Sequence, residues 1–267
     1  MTSGGLLIGG RIYPVDGLVI ANPHDTPWAR LSPEDYRARR TAWIRQIIIH
    51  TTKGIWPQRV IAGAGAGGRD QWTADYWRGE KKQSAAPLVG DTDGTFGCLA
   101  DLAAICAYHA QMSNDWSIGI EMYQMPDGGI YEATLDATVK VVLALCELFS
   151  IPLQVPSRAY PNRPIARMDV YGATPGGPDL VGVFGHRDNT HDRGRGDPGD
   201  EIFRRLVDAG AEQLDFDAGE DLAAWKRRQR FLNDCYGERL RIDGLPSTST
   251  LAAMRRHGFA RGAAIPA

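Results

Sequence analysis

Long apolar runs are missing from this 267-residue chain. The longest, Ile47-Ile48-Ile49 and Val141 to Cys146, fall well short of the ~18 apolar residues that a membrane helix needs, so no membrane insertion is expected. Met1 to Leu6 carry no basic segment and no long apolar core; a signal peptide is not read here and a cytoplasmic location is expected. Cysteine is sparse. Cys98, Cys106, Cys146 and Cys235 include no CxxC pair, which argues against a zinc knuckle or a disulfide framework and for buried free thiols. A strong charge of either sign is absent too, the formal net charge being −2. No nucleic-acid partner is expected, and the chain is read as a monomer. With 43% apolar and 23% charged residues, the composition is that of a globular protein and excludes collagen, coiled-coil and disordered classes. The length suits one large domain or a medium domain with a small one.

The charge is unevenly spread. Residues 220–267 hold nine Lys/Arg against five Asp/Glu, a net +4, and the remainder therefore carries −6. Residues 1–40, rich in Gly, Pro and turn signals, read as an irregular lead-in. The β-branched run in Arg45 to Thr51 suits a strand buried on both faces. Residues 54–90 read as a long insertion containing Trp56, Trp72 and Trp77, side chains suited either to sugar stacking or to burial. Ser117 to Tyr123 is a second expected strand. A helix follows with Thr134 as its N-cap and Leu135, Val139, Val142, Leu143 and Cys146 on its apolar face. Residues 152–180, with six prolines, are expected to loop. Val181 to Gly185 is a third strand running into His186, and Asp200 to Ala209 is a helix with Asp200 as its expected cap. After a linker at 215–219, Leu222 to Tyr236 and Thr248 to Arg256 follow helical spacing, with Gly258 at C′. Strands mixed with helices predict an α/β fold, a mixed β-sheet flanked by helices, plus a small all-α C-terminal module.

Three histidines stand near expected strand ends: His50, His109 and His186. Asp197 follows His186 by 11 residues in a Gly- and Arg-rich stretch. Two neutral imidazoles and one carboxylate, as in His50, His186 and Asp197, make an open zinc site whose fourth position is left to water. Such chemistry needs a carboxylate to move the proton, and strand alternation can aim Glu121 into the cleft. It also profits from a fixed cation beside the carbonyl oxygen, a role open to Arg195. Residue types alone leave the alternative of satisfied structural histidines and a surface carboxylate.

The ordered segments IIIHTT at 47–52, AYHA at 107–110, Asn114 with SIGIE at 117–121, and GHRD to RGDPG at 185–199 resemble the zinc-dependent N-acetylmuramoyl-L-alanine amidases of the type 2 family. That family embraces phage lysins, muropeptide-recycling amidases and peptidoglycan recognition proteins. The resemblance covers roughly residues 40–210, and an amidase domain is expected over 41–214. It implies Zn2+ on His50, His186 and Asp197, and Glu121 as the acid/base. Arg195 takes a place that is usually Lys, and a guanidinium does not donate a proton readily. His109 and Asn114 are read as substrate contacts. The family's Ser-x-His strand reads Ser84-Ala85-Ala86 here.

Residues 221–259 resemble a small peptidoglycan-binding helical module, so a module is expected over 220–267. The implied substrate is peptidoglycan or a muropeptide, and the implied reaction is hydrolysis of the amide between N-acetylmuramic acid and L-alanine. An endolysin-like role in wall lysis, with release through a holin or a non-classical route, is favoured by the tail. The rival expectations are cytosolic recycling of soluble anhydro-muropeptides and non-catalytic peptidoglycan binding.

Overall fold

The computed structural model describes residues 4–40, 43–52, 85–125, 127–157, 165, 168, 180–190, 197–214, 216, 222–242 and 248–259. Its strands are β1 (Leu6–Ile8), β2 (Arg11–Tyr13), β3 (Ile20–Ala21), β4 (Tyr36–Ala38), β5 (Gln46–Thr51), β6 (Leu88–Gly90), β7 (Phe96–Cys98), β8 (Ile105–Ala107), β9 (Ser117–Met122), β10 (Gln154–Pro156), β11 (Gly182–Gly185) and β12 (Glu212–Leu214). The helices are α1 (Glu132–Phe149), α2 (His186–Asn189), α3 (Asp200–Asp208), α4 (Leu222–Tyr236) and α5 (Thr248–Arg256).

Six strands form the central sheet in the order β11-β5-β9-β6-β7-β3. The four from β11 to β6 run parallel, β7 is antiparallel to β6, and β3 is parallel to β7. The mixed sheet and its helices are the α/β architecture expected from the sequence. β-Strand alternation divides the side chains between two faces. Ile47 and Ile49 of β5, Ile118 and Ile120 of β9, and Val183 of β11 join the main core with Leu135, Val142 and Leu145 of α1 and Ile202, Phe203 and Leu206 of α3. Each such large apolar side chain contributes about 1.5–3 kcal/mol by leaving water. Ile48 and Phe184 lie in a second cluster with Ala110, Met168 and Leu180, consistent with β5 being buried on both faces.

Residues 4–40 differ from an irregular lead-in. Gly9, Gly10 and Gly17 adopt positive φ and break the segment into strands of two or three residues. Even so, Leu6, Leu7, Val15, Leu18 and Ile20 belong to the main core, and β3 is an edge of the central sheet. Helix α1 also begins earlier than expected. Tyr131 is its N-cap, Glu132 complements the positive end of the helix dipole, and the Thr134 hydroxyl donates across to the Asp91 carbonyl at 2.6 Å. The thiols of Cys98, Cys106 and Cys146 are buried as expected, whereas Cys235 is exposed. The expected loop at 152–180 contains β10, which pairs with β12. Trp56, Trp72, Trp77, Arg195, Ser84 and most of the 215–219 linker lie outside the described residues.

Near the C-terminus, α4 and α5 share a separate small core of Trp225, Leu232, Ala253 and Met254. Helix α5 closes as anticipated. Gly258 takes φ +77°, its N–H donates to the Arg255 carbonyl, and the Phe259 N–H reaches the Met254 carbonyl. Among the described residues no helix is long and apolar enough to cross a membrane.

Candidate active site

The site forms at the ends of β5, β9 and β11, where parallel strands deliver three segments distant in sequence to one place. His50 is the penultimate residue of β5, and register pairs it with Glu121 on β9. Directly paired residues of neighbouring strands share a face. Glu121 thus stands between His50 and Val89, its other register partner, and is half-buried. His186 is fixed by a tight strand-to-helix junction. β11 ends at Gly185, whose N–H donates to Asp188 Oδ2 at 2.7 Å, and His186 opens α2.

Asp197 is held from two sides. The Thr51 N–H donates to Asp197 Oδ1 at 3.0 Å, and the Arg187 N–H donates to the Asp197 carbonyl at 2.8 Å. Gly185 lets the following proline close in, since a Cβ there would come within 2.6 Å of Pro198 Cδ. Asp200 does not cap α3; Gly199 holds that position, and Asp200 pairs with Arg187.

These constraints bring three buried donors together. His50 Nδ1 and His186 Nδ1 are 2.9 Å apart, and Asp197 Oδ2 is 3.3 Å from His186 Nδ1. One donor atom from each residue can be chosen so that all lie within 4.8 Å of one another. Tetrahedral zinc with bonds of ~2.0–2.1 Å separates its donors by roughly 3.3 Å. The spacing and the chemistry of two imidazoles with a carboxylate therefore fit zinc, and His50, His186 and Asp197 are the residues able to hold it.

His109 and Asn114, the expected substrate contacts, are close by, and both make hydrogen bonds within the protein. Asn114 Oδ1 accepts from the backbone N–H groups of His109 and Ala110 at 3.0 and 2.6 Å. His109 places Nδ1 3.0 Å from His50 Nε2 and Nε2 3.2 Å from Ser117 Oγ. Burial, with smaller effects from His186 and Arg39, pushes the His109 imidazole down to about 3, so it is neutral. Ser113, Ser117, Gly119 and Asn189 are contributors that the sequence reading passed over. Asn189 Nδ2 donates to Ser113 Oγ at 2.7 Å and ties α2 to the segment before β9. The available signal was alternation: Ser117, Gly119 and Glu121 occupy every second position of one strand and share a face.

No curated protein matches the chain in sequence. Among solved structures, the chain is similar to a selenomethionine derivative of AmpD, at 17% identity over 68% of this chain and 95% of that one, with a TM-score of 0.43. A Drosophila PGRP-LB mutant in complex with tracheal cytotoxin aligns at 16% identity over 73% and 96%, with a TM-score of 0.44. The Ph2119 endolysin from a Thermus scotoductus bacteriophage aligns at 17% over 72% and 99%, with a TM-score of 0.41. The family model described as N-acetylmuramoyl-L-alanine amidase matches residues 39–200, a span that takes in β5, β9, β11 and all of His50, Glu121, His186 and Asp197, and the chain belongs to that family.

Proposed function

We propose that this protein hydrolyses the amide between the lactyl group of N-acetylmuramic acid and L-alanine in peptidoglycan, with His50, His186 and Asp197 holding a zinc ion. The observation that carries this reading is the convergence of those three buried donors beside Glu121. Zinc bound there would polarise the scissile carbonyl as a Lewis acid and bring the pKa of a bound water toward neutrality. Glu121 takes a proton from the attacking water and returns it to the leaving amine of L-alanine. Arg195, two residues before Asp197 in the sequence, is the residue assigned in this proposal to supply a permanent positive charge for the developing oxyanion.

A lytic, endolysin-like role is supported by the helical pair near the C-terminus, which has its own small core and lies in the +4 segment. A soluble muropeptide gives such an appendage no advantage, whereas a polymeric wall does. The test is digestion of purified sacculi with zinc-loaded protein. New L-alanine amino groups without new reducing ends are expected, together with about one zinc per chain as three ligands and one open position require. His50→Ala and His186→Ala should each lose tight zinc binding and turnover. New reducing ends would identify a glycosidase and end this reading, and full zinc occupancy in both variants would remove these ligands.

A further inference from the structure

A hydrogen-bond chain runs from the backbone before β9 to the first of the three donors, and its direction can be deduced atom by atom. A carbonyl oxygen only accepts, so the 2.6 Å contact between Ser117 Oγ and the Ser113 carbonyl uses the single hydrogen of the Ser117 hydroxyl. In its 3.2 Å contact with His109 Nε2, Ser117 Oγ must therefore accept, and the hydrogen of His109 sits on Nε2. An uncharged imidazole has one N–H, so His109 Nδ1 is a bare lone pair. It lies 3.0 Å from His50 Nε2, which must donate. The hydrogen of His50 is then on Nε2, and His50 Nδ1, the atom facing His186, carries none.

We propose that His109 is a positioning residue which, through the Ser113–Ser117–His109 relay, holds His50 in the tautomer able to bind metal. The inference rests on the metal-site reading above. The relay is built in as well as bonded. The His109 ring lies over Gly119, where a Cβ would come within 2.6 Å of ring atoms Cγ and Nδ1. Asn114 fixes the His109–Ala110 backbone through the two hydrogen bonds already described. Ser113 also accepts from Asn189, one turn beyond His186, so the segment that orients the first imidazole is tied to the helix carrying the second. A metal-ligating histidine needs a neutral ring with the hydrogen on its far nitrogen, and losing the partner of that nitrogen typically costs about 10–100-fold in metal affinity.

The test uses the full chain and two readouts. Zinc affinity is measured by competition with a chromophoric chelator, and the His50 tautomer is read by 1H–15N imidazole correlations on metal-free protein. In the parent, His50 should carry its hydrogen on Nε2. His109→Leu should mix the two tautomers and weaken zinc binding by about 10–100-fold. Ser117→Ala, which removes one oxygen, should do the same to a smaller degree, and His109→Asn should recover part of the affinity by offering an oxygen near the lost Nδ1. A substrate-contact role for His109 would leave both readouts unmoved. Parent-like zinc affinity in both His109→Leu and Ser117→Ala overturns the relay while leaving the metal site standing. A parent with His50 hydrogenated on Nδ1 overturns it even if His109→Leu fails to fold. A parent that takes up no zinc overturns the metal-site reading, and the relay with it.

Discussion

Glu121 acquires its place from two regularities, alternation along β9 and its register opposite His50. A carboxylate there is paired with His50 without belonging to the His50–His186–Asp197 cluster, a placement that suits proton transfer in the proposed reaction. Glu121→Gln keeps the shape of the side chain and removes its basicity. Zinc content and thermal midpoint should be unchanged while turnover on sacculi falls by about 10²–10⁴-fold; a variant within twofold of the parent would take Glu121 out of the mechanism. The clustering of His50, His186 and Asp197 was legible in the sequence, because each falls within one of the ordered motifs. The wiring was not. Whether His109 faces substrate or supports His50 depends on a ring passing over Gly119 and on one hydroxyl of Ser117, and spacing does not encode either.

Elements were most legible where the apolar pattern is dense. The IIIH run of β5 and the alternating β9 appear where expected, as does the β11 strand that runs into His186. Ends were harder, because they are decided by single hydrogen bonds. Thr134 has the right chemistry for a cap, yet its hydroxyl is used on Asp91 and the helix begins at Glu132. At the other end of α1, Ser150 takes φ +54°, and the N–H groups of Ser150 and Ile151 close on the carbonyls of Glu147 and Cys146. That left-handed position is costly for a residue with a Cβ and natural for glycine. Ser150→Gly should therefore stabilise the protein by up to about 1 kcal/mol, offset in part by the greater freedom of glycine in the unfolded chain. The check is the midpoint of urea unfolding, which should move upward with an unchanged slope.

Across the whole molecule, the described chemistry lies between His50 and Asp197, and the α4–α5 pair has a core of its own. Deleting 220–267 should leave cleavage of a small muropeptide largely intact and weaken retention on sacculi, since tethering raises local concentration only on a polymer. Retention by the parent should also fall with added salt if the +4 charge contributes. Equal losses on both substrates would make the pair an integral part of the catalytic fold. The opposite end of the chain was the least legible at this scale, because strands of two or three residues punctuated by glycine leave no periodic signal. Its contribution is nevertheless architectural: β3 lies along β7 at the rim of the central sheet. A protein trimmed to begin at residue 39, where the family match starts, would uncover the row of backbone donors and acceptors on β7 that β3 now satisfies. Such an unguarded edge is a template for a second chain. The trimmed protein, which also loses the core side chains of Leu6, Leu7, Val15, Leu18 and Ile20, should therefore self-associate in light scattering with a gain of intermolecular β-sheet signal in infrared spectra, so that the short N-terminal strand serves as the guard that keeps neighbouring copies apart.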